Sequence, residues 1–156
     1  MNVFALLVSA LIVEFVVISS VNLLQTGKAI YDWYKNFGLV AVLSDVTSIM
    51  IGIMLADFIV PHASILKLLG VALVVQVVHD ILFFFAVIRP IPTGTNMLID
   101  IFKQYAAENS YTILFADALI ITLSVLLYSK LKHSKLLPFL AVSSLYAITY
   151  IIYTVR

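Results

Sequence analysis

Cysteine is absent, and nine Lys/Arg, eight Asp/Glu and three His are all the charge or near-charge spread through 156 residues. Without thiols there is no disulfide framework, no thiolate nucleophile and no cysteine-based zinc site, and the redox compartment is left open. The formal net charge is +1, with no basic tail or stripe, so we expect no nucleic-acid partner. No Asn-x-Ser/Thr sequon and no C-terminal prenylation box occurs. The first apolar run begins without a basic leader segment, carries Glu14 at its centre and exceeds the length of a signal-peptide core, so we read it as a retained first helix.

What the chain has instead is hydrocarbon. With 63% hydrophobic residues, 11% charged residues and a mean hydropathy of +1.16, it falls in the polytopic membrane class, as one compact helical domain over residues 1–156. A bilayer core of roughly 30 Å needs about 20 apolar residues of helix. Five windows meet that need: 3–24, 37–60, 64–88, 111–130 and 136–155. Gly27, Pro61, the Arg89-Pro90-Ile91-Pro92 run with Gly94, and Pro138 punctuate them. The expected fold is all-α: five transmembrane helices plus one short amphipathic interfacial helix.

Five spans put the ends of the chain on opposite sides, here A (N-terminal) and B. Side A carries Lys67, Lys130, Lys132 and Lys135; side B carries Lys28, Lys35, Arg89, Lys103 and Arg156. So even a split leaves the orientation undecided. On side B, Tyr31, Trp33 and Tyr34 beside Lys28 and Lys35 read as an interfacial aromatic anchor. Residues 96–109 place Leu98, Ile101, Phe102 and Tyr105 on one helical face, with Asp100, Lys103, Gln104 and Glu108 on the other. That pattern suits a surface helix, either a plain linker or a lid over the B-side mouth, and the linker is the favoured reading.

Five of the eight acids, Glu14, Asp45, Asp57, Asp80 and Asp117, fall inside the apolar windows. A carboxylate in hydrocarbon costs about 3 kcal/mol on insertion scales unless it is protonated, paired or wetted. At a rise of about 1.5 Å per residue, Asp45, Asp80, His79, Asp117 and Glu14 all lie roughly 9 to 15 Å below the B-side end of their spans. Asp57 lies near the A-side end instead. Gln76 and Asp80 stack one turn apart, Ser48, Gly52 and Ala56 form a small-residue ridge beside Asp45, Ser124 follows Asp117 on one helix face, and Tyr146 offers a hydroxyl from the last span.

The candidate ion- or proton-binding residues are therefore Glu14, Asp45, Gln76, His79, Asp80 and Asp117, with Ser48, Ser124 and Tyr146 in support. Clustered carboxylates oppose one another's ionisation and a neighbouring His exchanges protons near neutral pH, which suits a proton or cation pathway or binding site. The same oxygens would suit a hard cation, so the identity of any metal is left open. The alternatives are a scaffolding protein whose acids are neutral and hydrogen-bonded, and a lipid-modifying enzyme built around His79. One interior His is few for catalytic zinc, and no nucleophile motif surrounds an interior Ser. No cofactor is expected. The expected partners are membrane lipids, protons or small cations, and further copies of the chain in a homo-oligomer.

The stretch His79-Asp80-Ile81-Leu82-Phe83-Phe84-Phe85, the Arg89-Pro90-Ile91-Pro92 turn, Ile101-Phe102-Lys103 and Ile113-Leu114-Phe115-Ala116-Asp117-Ala118-Leu119 resemble an uncharacterised family of small multi-spanning proteins from large nucleocytoplasmic DNA viruses. The likeness covers about a third of the chain, in motifs that are mostly apolar. It implies a virion membrane or a host internal membrane, and it brings no activity or ligand with it.

Overall fold

The computed structural model describes residues 1–24 and 27–154. Arg156, the last of the side-B cations, and Val155, at the end of the fifth window, lie outside the described residues. Among the described residues seven α-helices follow one another: α1 (Val3–Leu24), α2 (Lys28–Phe37), α3 (Leu39–Ile59), α4 (Ile65–Phe83), α5 (Met97–Asn109), α6 (Thr112–Leu131) and α7 (Leu137–Thr154). A π-helical segment, Phe84–Ile88, extends α4, and no strand occurs among the described residues. Among the described residues four helices are long and apolar enough to cross a membrane: α1, α3, α4 with its π-helical end, and α6. They coincide with the first four windows, while Leu137–Tyr153 is a shorter apolar helix.

α1 is the centre of the bundle. It packs against α3, α6 and α7, and α4 closes the far side by lying on α3 and α6. Half of α1's apolar stretch is buried within the protein, against 17% for α4, so α4 is the peripheral helix and α1 the internal one. Sequence explains this placement. Ala5, Ser9 and Ala10 are completely buried in α1 and let neighbouring backbones come close. In a bilayer that closeness matters more than apolarity, because lipid is as apolar as Leu and helix association rests on van der Waals contact. The Ser9 hydroxyl donates back to the Ala5 carbonyl at 2.7 Å and so leaves no unpaired polar atom.

Side B is covered by α2 and α5, which pack on each other. Here the structure corrects the sequence reading twice. The segment after Gly27 is a second short amphipathic helix, so side B has two such helices where one was expected. Moreover, Trp33 and Tyr34 are 3% and 7% exposed, pointing into the protein as core residues, where an interfacial anchor was expected. Ala29, Trp33 and Tyr34 share one face of α2, and burying that face requires α2 to lie over the bundle. Gly38 makes the corner between α2 and α3. It holds the left-handed φ of 53°, and its N–H donates to the Tyr34 carbonyl at 2.9 Å.

The cap is tied at both ends. α2 begins after Gly27, which has no side chain with which to cap it, and the carboxylate of Glu108 on α5 takes that place by accepting from the Ala29 N–H at 3.0 Å. Gln104 donates to the other Glu108 oxygen at 2.7 Å. These two bonds, the Ala29 one first, hold the Glu108 carboxyl below its ordinary value. α5 itself starts at Asn96, whose side chain accepts from Ile99 N–H at 2.9 Å.

Candidate functional site

Each helix of the α1, α3, α4, α6 core contributes an acid. Glu14 of α1 is 1% exposed, and its Oε1 accepts from the Tyr34 hydroxyl at 2.9 Å. Asp45 of α3 accepts through Oδ2 from Trp33 Nε1 at 2.9 Å, and the same oxygen lies 3.2 Å from the Tyr34 hydroxyl. The two carboxyls also lie within hydrogen-bonding reach of each other. Burial, reinforced by the charges of Glu14 and Asp45, pushes the Tyr34 hydroxyl well above its ordinary value, so it remains a proton donor to this pair.

The second pair joins α4 to α6. Asp80 Oδ1 accepts from Gln76 Nε2 at 2.7 Å, one helical turn away, and lies 3.2 Å from His79 Nδ1. Asp80 Oδ2 is buried and receives no hydrogen bond, while the Asp117 carboxyl stands within hydrogen-bonding reach of Asp80. Asp117 in turn feels the charge of Asp45, which links the two pairs into one layer. His79 is at the edge of it. Its side chain is 51% exposed and its ring stacks on Phe83 at 5.7 Å.

Aromatic side chains separate this layer from the B-side surface. Trp33 lies 4.9 Å from Phe37 and 5.1 Å from Phe102, and Phe102 meets Phe83 edge-on at 5.9 Å. Tyr105 of α5 stands close enough to Asp117, Asp45 and Asp80 that their charges add to burial in pushing its hydroxyl up to about 12. α5 thus does more than connect two spans, since Phe102 and Tyr105 complete the cover.

Of the expected site residues, Glu14, Asp45, Gln76, His79, Asp80 and Asp117 are brought together. The supporting residues fare differently. Ser48 is half-buried on α3, one turn from Asp45. Gly52, one turn further, lies beside Gln76, and a Cβ there would make only ordinary contact, 3.8 Å from Gln76 Oε1. Ser124 is fully buried with an unpartnered hydroxyl, but seven residues of helix put it about 10 Å below Asp117. Tyr146 is a correction. It is 74% exposed, because α7 packs through Leu137, Ala141 and Ile148, and a residue two positions before Ile148 faces roughly 200° away. Asp57 lies at the other end of the bundle, 3.8 Å from the Met1 amino group.

Trp33, Tyr34 and Tyr105 are the residues that sequence reasoning missed. The signal was present in α2: Ala29 and Trp33 lie one turn apart with Tyr34 beside them, on the side away from Lys35. No Lys or Arg pairs with the four acids among the described residues, whose ion pairs are Met1 to Asp57, Lys28 to Asp32, and His79 to Asp80. Nor, among the described residues, do three or more His, Asp or Glu groups converge as a ligand set for a metal ion. Compared with known proteins, the chain matches no family model, no curated protein and no solved structure.

Proposed function

We propose that this protein is an integral membrane protein with five spans, α7 being the fifth, and that its acidic layer binds and passes protons. The observation that carries the reading is the buried Asp80 Oδ2, an acceptor without a donor, in a carboxyl that lies within hydrogen-bonding reach of a second one, that of Asp117. Two carboxylates cannot hydrogen-bond to each other unless one of them holds a proton. At about 4 Å, two full charges repel by about 4 kcal/mol at an effective dielectric constant of 20, and among the described residues no Lys or Arg pairs with these acids to offset it. A shared proton removes that repulsion and supplies the missing donor. The Glu14 and Asp45 pair has the same form, with the single Tyr34 hydrogen facing both carboxyls.

Protons are favoured over a hard cation because donors already occupy three of the four acids, Trp33 Nε1 on Asp45, Tyr34 Oη on Glu14 and Asp45, and Gln76 Nε2 on Asp80, and a metal would have to displace them. His79, half-exposed beside Asp80, supplies an exit group at the edge of the layer. Its exposure at mid-span also supports the homo-oligomer, in which a second copy would cover it. A virion or host internal membrane rests on the resemblance of the 79–119 stretch alone.

Purified protein in liposomes loaded with a pH-sensitive dye tests the reading. Proton flux under an imposed gradient should be present in the parent and fall in both Asp80→Asn and Asp117→Asn, with Asp57→Asn unaffected. No flux above protein-free liposomes would overturn it. A second reading, neutral acids that fix helix packing, is favoured by the bonds from Trp33 and Tyr34 that hold α2 over the bundle. It gives the opposite result: stability falls in the amide variants and no flux is seen in any.

A further inference from the structure

Away from the acids, a pocket of about 360 Å³ opens on side B between the π-helical end of α4 and α5, lined by Phe84, Arg89, Lys103, Ala106 and Ala107. Its chemistry is the reverse of the buried layer. Two cations stand over an apolar wall, and neither is paired with a carboxylate among the described residues. Asp100, the acid in the first turn of α5, is already engaged as acceptor for the Gly94 N–H at 2.9 Å.

The local backbone explains where Arg89 stands. Pro90 has no N–H and ends the helix, and the preceding Arg89 N–H bonds five residues back to the Phe84 carbonyl at 2.8 Å. That wider π turn directs Arg89 out of the bundle at the level where hydrocarbon gives way to headgroups. Its guanidinium lies over the Phe85 ring, 5.5 Å from the centroid, which leaves the in-plane N–H edges for oxygen acceptors. Lys103 donates to the Ile91 carbonyl and to Thr93 Oγ1, and so has one of its three N–H groups left.

We propose that this pocket holds the phosphate of an anionic phospholipid, with Arg89 and Lys103 on the phosphate oxygens and the upper part of an acyl chain against Phe84, Ala106 and Ala107. A guanidinium fork matches phosphate oxygens bidentately, and a neighbouring ammonium supplies the second charge. The apolar wall commits the site to a lipid rather than to free phosphate, because an ion alone would leave that wall unused. Leu82 and Phe85, both exposed on the adjoining turn, continue the apolar surface toward the bilayer. The proposal is independent of proton binding.

Native mass spectrometry of the full chain released from nanodiscs of mixed phosphatidylglycerol and phosphatidylcholine provides the test. Phosphatidylglycerol should be retained at least roughly tenfold over phosphatidylcholine, as expected for a charge-assisted phosphate contact. Arg89→Gln should abolish that preference. Ala107→Trp fills the pocket from an exposed position, and should lower retention with the melting temperature unchanged. Equal retention of the two lipids, or parent-like retention in both variants, would refute the proposal. Displacement of the lipid by millimolar inorganic phosphate would refute it as well, by making this an ion site.

Discussion

The Tyr34 hydroxyl donates a 2.9 Å hydrogen bond to Glu14 across 20 residues of chain, and through it a surface helix is fastened to the innermost helix of the bundle. Both partners are buried. Tyr34→Phe keeps the ring and its packing but leaves a buried acceptor without its donor, for which a cost of about 1 to 3 kcal/mol is expected. Thermal unfolding in detergent should show a lowered midpoint. Because Trp33 and Tyr34 meet at the same Asp45 oxygen, the double variant with Trp33→Phe should not be additive, with a coupling of about 0.5 kcal/mol or more. Strict additivity would mean that the two side chains act on Asp45 separately.

Glu108 gives the cap an acid-sensitive fastening. Its carboxyl is held below an ordinary value of 4.5, by the Ala29 N–H first and by Gln104 second, so the folded state favours the ionised form. The sign follows from linkage: the contribution is complete above the unfolded value and is lost as pH falls through the lowered folded one. Hydrogen exchange in residues 28–37 should therefore quicken as pH is taken below about 4.5, beyond the intrinsic pH dependence of exchange. Glu108→Ala should show the quickened exchange at every pH. Identical profiles for the two proteins would show that the carboxylate does not hold α2.

Much of this architecture was legible in the chain. Apolar length alone located the four long helices, because a membrane leaves few other ways to satisfy backbone polar groups. The rise per residue then put Glu14, Asp45, Asp80 and Asp117 at one level. What helical arithmetic could not supply was direction. Tyr146 has the right depth on the wrong face, and Ser124 the right face at the wrong depth. Trp33 and Tyr34 were misread for a different reason. Aromatics beside lysines at a membrane boundary ordinarily mark the interface, and only the acids beneath them, with unfilled hydrogen-bonding capacity, draw these two inward. Glu108 was equally invisible, because its partner is a backbone N–H 79 residues away.

Gly38 should tolerate no side chain. Its φ of 53° is left-handed, and an added Cβ would stand 2.9 Å from Tyr153 Oη. The conformational penalty alone is about 1 to 2 kcal/mol. Gly38→Ala should therefore lower the unfolding midpoint, and pairing it with Tyr153→Phe should recover only the part due to the hydroxyl. Gly70 is the control: it is helical, its added Cβ would meet nothing within 4 Å, and Gly70→Ala should stabilise α4 by about 0.5 to 1 kcal/mol. Equal midpoints for the two alanine variants would contradict the corner geometry.

The shared protons proposed for the two acid pairs have a spectroscopic consequence that does not depend on transport. A protonated carboxyl absorbs in the infrared as a C=O stretch well separated from the ionised form, and it shifts in D₂O when its proton exchanges. At neutral pH the parent protein should show that absorption if, as proposed, each pair holds one proton between two carboxyls. Asp117→Asn removes one member of the Asp80 pair and lets the Asn amide donate to Asp80, so the contribution of that pair should vanish. The contribution of Glu14 and Asp45 should remain, and should exchange slowly because Glu14 is 1% exposed beneath α2. Asp57→Asn should leave the band unaltered, because Asp57 lies at the opposite end of the bundle. A parent spectrum showing ionised carboxylates alone would mean that both pairs carry full charge, and the proton-sharing account of the buried Asp80 oxygen would have to be abandoned.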